Sequence, residues 1–251
     1  MKTINLSQLC KNYLEIRKNS RDIKFREYSL IPAEKYFHES QENQLKKILK
    51  NKNLIERYII KLKYTLFRIK PEYFIKFLKY DDFKKSLTTQ GFLFFEKSKD
   101  KFLNSFFENK NISNGIIKNI NTFGKYCEKA LSPYHVDKKL RFFQKIGKTI
   151  KVIGEPDYVD DKVCYEFKAI TYKDRLQDAF RLAYCQVNLG LIFSKPAYNQ
   201  DHTLNFYNVK ELNKNKKIII DIYFWLEDLI YHFELEPDFE LALKIYNYGK
   251  D

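Results

Sequence analysis

No stretch of the sequence approaches twenty uninterrupted apolar residues, which argues against a membrane span. The opening residues, Met1-Lys2-Thr3-Ile4-Asn5-Leu6-Ser7-Gln8, hold no long apolar run, so no signal peptide is expected. Cysteine is sparse. Cys10, Cys127, Cys164 and Cys185 are scattered, form no CxxC pair and lack zinc-type spacing. Reduced thiols in a cytoplasmic or other intracellular setting are the simplest expectation. His135, His202 and His232 have no spacing that points to metal binding or general-base work. Internal repeats and low-complexity linkers are missing too. Acid is in short supply: 32 Asp and Glu face 46 Lys and Arg, for a net charge of +14. AT-rich codon usage explains Lys in place of Arg, but not the excess of base over acid. That excess suits a polyanion such as nucleic acid, whose counterions basic side chains release.

The chain has 251 residues, enough for one large domain or a core with an appendage. Its 44% hydrophobic and 17% aromatic content supplies a packed core and excludes a disordered chain. Residues 1–110 read as a mainly helical region, a candidate guide for nucleic acid, and residues 111–251 as the core. Over 41–78 breakers are few, and Leu45, Ile48, Leu49 and Leu54 fit one apolar face. Pro71 is expected to start a helix. The Lys-aromatic interleaving of Lys70-Pro71-Glu72-Tyr73-Phe74-Ile75-Lys76-Phe77 is read as an amphipathic helix with snorkelling lysines rather than as a stacking surface.

A helix is predicted over 113–131, from Ile116, Ile120, Phe123, Cys127 and Ala130, ending at Ser132-Pro133. The period then changes. Strands are predicted at 140–146, 149–159 and 162–170, with a turn at Gly147-Lys148. A helix is predicted over 172–188, with Leu176, Phe180, Ala183 and Val187 as its stripe. Two strands at 189–194 and 203–209, a long helix over 217–233 with Trp225 in the core, and a short helix over 239–248 complete the reading. This order implies an α/β fold, a mixed sheet flanked by helices.

One stretch carries chemistry: Gly154-Glu155-Pro156-Asp157-Tyr158-Val159-Asp160-Asp161-Lys162-Val163-Cys164-Tyr165-Glu166-Phe167-Lys168. It puts an Asp in one strand and Glu-x-Lys in the next. Alternation places Glu166 and Lys168 on one face. With a two-residue loop at Asp160-Asp161, Val159 pairs with Lys162 and Asp157 falls opposite Cys164, so Asp157, Glu166 and Lys168 converge. A one-residue slip would send the pair to the other face. Two carboxylates on neighbouring strands make an oxygen site for a hard divalent cation. Such a cation polarises a phosphodiester and activates water, while a lysine beside it orients that water and offsets developing charge.

These residues resemble the PD-(D/E)xK nuclease superfamily, through Pro156-Asp157 and Glu166-Phe167-Lys168. The fuller pattern, Gly154-x-x-Asp157 followed by Tyr165-Glu166-Phe167-Lys168, is similar to its RecB-like branch, which includes phage-type exonucleases and CRISPR-associated nucleases. The resemblance spans roughly residues 120–195. It implies a restriction-endonuclease-like core, Mg²⁺ or Mn²⁺ as cofactor, the backbone carbonyl of Phe167 as a further ligand, and a deoxyribonuclease, expected to be an exonuclease. It also implies an acid or His on the helix before the sheet. Glu128, in Gly124-Lys125-Tyr126-Cys127-Glu128, takes that place as a candidate ligand, and its alternative is a solvent-facing Glu pairing with Lys125 or Ser132. His38 is a competing candidate. The branch's Gln-x-x-x-Tyr has Phe180 at the Gln position and Tyr184 at the Tyr. Gln177, Arg181 and Tyr184 share a helix face as candidate contacts to substrate phosphate. The alternative is a non-catalytic nucleic-acid-binding protein with a vestigial nuclease core, although Asp157, Glu166 and Lys168 are all present.

Overall fold

The computed structural model describes residues 2–16, 23–50, 52–59, 80–87, 124–125, 127–134, 139–146, 150–170, 172–199 and 204–250. They form an α/β protein with mixed sheets flanked by helices. The chain divides into one unit of Met1–Pro32 with Tyr134–Asp251 and another of Ala33–Pro133. The division does not fall near residue 110. The first 32 residues join the C-terminal part because they supply a strand to each of its sheets.

In the first unit, a three-stranded sheet has the order β1-β4-β3, built from Lys2–Asn5, Ile150–Gly154 and Phe142–Ile146. β1 runs parallel to β4, and β3 antiparallel to it. The second sheet has five strands in the order β2-β8-β7-β6-β5: Ser29–Pro32, Leu229–Leu235, Lys217–Phe224, Val163–Ile170 and Tyr158–Val159. Only the β6–β7 pair is parallel there. The crossover between them carries helix α4, Leu176–Ser194, as a parallel pair requires. Helix α1, Leu6–Ile16, packs on α4, as does α6, Phe239–Tyr248, while α5, Phe206–Asn213, lies in between in sequence. Asn5, Asn205 and Asp238 cap α1, α5 and α6 by accepting from backbone N–H groups at 2.6, 3.0 and 2.9 Å.

The stripe Leu176, Phe180, Ala183 and Val187 is buried against β6 and β7, as its spacing predicts. The helix then continues through 189–194, where a strand was expected. From Val187 to Phe193 every residue is buried, so the polar face that marks a surface helix is gone and the period no longer shows. The expected helix over 217–233 is instead the β7–β8 hairpin. β7 reads Lys-Ile-Ile-Ile-Asp-Ile-Tyr-Phe and is buried at every position after Lys217. A strand covered on both faces lacks alternation and cannot be told from a buried helix by period, but its β-branched run favours extended backbone. Asp228 closes the turn at φ 58°, a conformation Asp tolerates, and accepts from the Tyr223 hydroxyl at 3.1 Å. Trp225 is half-buried there rather than a core residue. The expected strand at 203–209 is reduced in its described part to one bridge, Tyr198 to Leu204, followed by α5.

In the second unit, α2 (Ala33–Lys50) packs on α3 (Tyr80–Leu87) through Phe37 and Phe83, ring centroids 5.6 Å apart. The expected run over 41–78 breaks before residue 54. Asn53 Oδ1 accepts from Glu56 N at 2.9 Å and Glu56 Oε2 from Asn53 N at 3.1 Å, a reciprocal cap that starts a new helix. Leu54 is exposed, not on an apolar face. Residues 127–131 are helical, with Cys127 and Ala130 buried. Pro71, the 70–77 segment, Ile116, Ile120, Phe123, His135, Gly147-Lys148 and His202 lie outside the described residues, as do the side chains of Leu45 and Ile48.

Candidate functional site

β4 ends at Gly154 because the next element is drawn into the other sheet. Gly154 faces Phe142 across the ladder, and a Cβ there would stand 2.1 Å from the Phe142 ring. Glycine lets the ring cross and pack on Phe193 at 5.5 Å. Pro156 is buried beside Gly190 of α4. Asp157 follows, one residue before β5 begins.

The hairpin register differs from the expected one by two residues. Tyr158 pairs with Tyr165 and Val159 with Cys164, so the register carried one step further sets Asp157 opposite Glu166. An even shift keeps every side chain on its face, so Asp157, Glu166 and Lys168 still converge. The cause is Asp160. Its Oδ1 accepts from Lys162 N at 2.7 Å and Val163 N at 2.8 Å, and Asp160 N donates to Val163 O. The two-residue loop is thus Asp161-Lys162.

Asp157 Oδ2 accepts from Phe167 N at 2.7 Å, past the end of β5. The N–H and C=O of a strand residue point to the same edge, so the Phe167 carbonyl is on the Asp157 side as well. Asp157 and Glu166 are 8% and 5% exposed. Each is matched by a lysine: Lys168 Nζ bonds Glu166 Oε1, and Lys139 Nζ lies 2.5 Å from Asp157 Oδ1. Burial, then the Asp157 charge, pushes the Glu166 carboxyl up to about 7, against Lys168 and Lys139. Two buried thiols feel the charge of this carboxylate. Burial pushes Cys10 and Cys164 well up, and the Glu166 charge adds to both. Cys185 is buried beside Cys10. Buried, apolar sulfur thus lies on the covered side of the site.

Lys139 escaped the sequence reading. It is one of 46 basic residues, and only the fold brings it across 18 positions to Asp157. The other expected residues are engaged elsewhere. Arg181 Nε reaches Ile23 O at 3.4 Å, and its guanidinium stands 3.7 Å from Asp178. Tyr184 is buried, stacks on Phe180 at 5.6 Å and donates to Asp238 at 3.4 Å. Burial, then Asp238, pushes its hydroxyl up to about 12. Gln177 is exposed. No hydrogen bond or ion pair joins these three to Asp157 or Glu166. Glu128 and His38 belong to the second unit, where His38 stands 3.6 Å from Glu34 on α2 and Glu128 Oε1 is out of reach of solvent.

Among the described residues no group of three or more His, Cys, Asp or Glu side chains converges to hold a metal. Asp157, Glu166 and the Phe167 carbonyl are a smaller, all-oxygen set. It fits a hard cation that keeps most of its waters, such as Mg²⁺. Two buried carboxylates that repel each other are also the arrangement a divalent charge relieves. Among the described residues no helix is long and apolar enough to cross a membrane. Comparisons with protein-family models, curated proteins and solved structures return no match to this chain.

Proposed function

We propose that the protein is a divalent-metal-dependent deoxyribonuclease of the PD-(D/E)xK kind, with a restriction-endonuclease-like core, acting as an exonuclease. The observation that carries this reading is the meeting of Asp157, Glu166 and Lys168 at the edge of β6 where β5 stops. Asp157, Glu166 and the Phe167 carbonyl would hold Mg²⁺ or Mn²⁺. When bound, that ion supplies Lewis-acid polarisation of the phosphodiester and a water of lowered pKa. The Phe167 N–H holds Asp157 Oδ2, which leaves Oδ1, bonded here by Lys139, as the oxygen a cation would take. Lys168 holds the attacking water by hydrogen bonding and offsets charge gathering on the phosphate oxygens. The buried thiols of Cys10 and Cys164, which feel the Glu166 charge, help to keep bulk water from that carboxylate.

The test is incubation with labelled linear and circular DNA under Mg²⁺, Mn²⁺ or EDTA. Metal-dependent loss of linear DNA alone is the expected result. Cleavage in EDTA, or unaltered cleavage by Lys168→Ala, would overturn the reading. Loss of circular DNA would replace exonuclease with endonuclease.

A further inference from the structure

β3 buries Phe142, Gln144 and Ile146 and turns Phe143 and Lys145 outward. Phe143 is 55% exposed, in the middle of a strand. Two cations flank its ring: Lys151 Nζ at 4.8 Å and Arg141 Cζ at 5.2 Å from the centroid. Across the ladder Lys145 pairs with Lys151 and Phe143 with Ile153. The next step of the same register is Arg141 with Glu155, whose ion pair measures 3.1 Å. The step after that is Lys139 with Asp157. One outward row therefore runs from the Asp157 carboxylate along the sheet to Lys145 and Lys151. Its length is about 20 Å, at ~3.3 Å per strand residue. Beyond the Lys139–Asp157 pair it carries Arg141, Lys145 and Lys151 against Glu155 alone, with one exposed aromatic ring among them.

We infer that this row is a platform for single-stranded nucleic acid leading to Asp157, with Phe143 stacking a base and Arg141, Lys145 and Lys151 meeting backbone phosphates. A solvent-exposed ring flanked by cations suits a strand whose bases are unpaired, because an unpaired base offers its π-face and a stacked duplex base does not; a cation now over the ring would move to the phosphate as the base stacks. Two like charges set directly opposite, Lys145 and Lys151, repel each other in the free protein, and a phosphate between them relieves that. Residues two apart on a strand recur about 6.6 Å apart, so Arg141, Phe143 and Lys145, with Lys151 opposite Lys145, meet successive positions along an extended chain. The inference rests on nucleic acid as the partner proposed above, and on no step of its cleavage.

The test is binding of a fluorescein-labelled oligothymidylate and of a labelled DNA hairpin duplex, both in EDTA, followed by anisotropy. Phe143→Ala should weaken oligothymidylate binding by about 5- to 100-fold, as loss of a stacking aromatic does, and leave the duplex unchanged. Phe143→Tyr should bind like the parent. Phe143→Trp should add emission that oligothymidylate quenches, over the background of Trp225. Lys151→Ala should make the log–log salt dependence shallower by about 0.7. Unchanged oligothymidylate affinity in Phe143→Ala would overturn the inference, as would equal losses for strand and duplex. Metal-dependent cleavage with Phe143-independent binding would sink the platform and leave the nuclease. Phe143-dependent binding without cleavage under Mn²⁺ would do the reverse.

Discussion

Lys139 gives the sharpest energetic prediction, because it occupies the oxygen that a metal would use. In the absence of metal its ammonium neutralises Asp157 at 2.5 Å, with side-chain exposures of 25% and 11%. Lys139→Met keeps the stem and removes the charge. Asp157 is then left beside Glu166 with only the Phe167 N–H and the more distant Lys168. A hydrogen bond to a charged group contributes about 1.5–3 kcal/mol, and partial exposure puts this pair toward the lower end. For a chain of this size the loss corresponds to a fall of roughly 3–12 °C in Tm. Metal should reverse the order. Lys139 would compete with a bound cation for Oδ1, so the variant should bind Mn²⁺ more tightly and gain more stability on titration, by the usual mass-action relation. The assay is thermal unfolding in EDTA and across a Mn²⁺ series, with Mn²⁺ affinity read separately by calorimetry. A variant as stable as the parent in EDTA, or one that binds Mn²⁺ more weakly, would refute this account of the site.

Asp157→Ala, Glu166→Ala and Lys168→Ala should each abolish or cripple cleavage and leave DNA binding in place, measured by gel shift, because binding is assigned to the basic surface. Gly154→Ala should cost about 1–3 kcal/mol in urea denaturation, since the new Cβ strikes the Phe142 ring, and Phe142→Leu in the same chain should recover part of it. Asp160→Ala should cost about 1 kcal/mol at neutral pH by releasing the Lys162 and Val163 N–H groups. Burial would raise the Asp160 carboxyl, but those N–H groups together with the Tyr158 hydroxyl and Lys216 outweigh it and hold it below the ordinary 3.8, so the difference from the parent should be full above pH 3.8 and shrink as pH falls through the folded value. Lys216→Met should raise stability, because the Lys216 amine is buried without a hydrogen-bond partner among the described residues and burial holds its pKa down.

Which elements could be read from sequence depends on how many of their faces meet water. α4 was legible as far as Asn188, where one face still carries Gln177, Asp178 and Arg181, and illegible from Leu189 on, where all faces are covered. β3 alternates Phe142, Gln144 and Ile146 inside with Phe143 and Lys145 outside, and was legible throughout. β7, covered on both faces, was read as a helix. β1 and β2 were missed for another reason. Each has four residues and becomes a strand only through partners far along the chain, β4 and β8. No local pattern of four residues carries that information.

The site shows the same split between local and distant order. Asp157, Glu166 and Lys168 sit within one hairpin, so alternation alone put them on one face, and even the wrong loop preserved it because the error was two residues. Lys139 could not be found that way. It reaches Asp157 only because β3 and β4 share a register that also aligns Arg141 with Glu155 and Phe143 with Ile153. The acids of the site and the outward row of β3 are therefore one structural feature. The five-stranded sheet places the acids and the three-stranded sheet brings Lys139 and the outward row to them, so a shift of the β3–β4 ladder by one residue would separate Lys139 from Asp157 and turn Phe143 into the core at the same time.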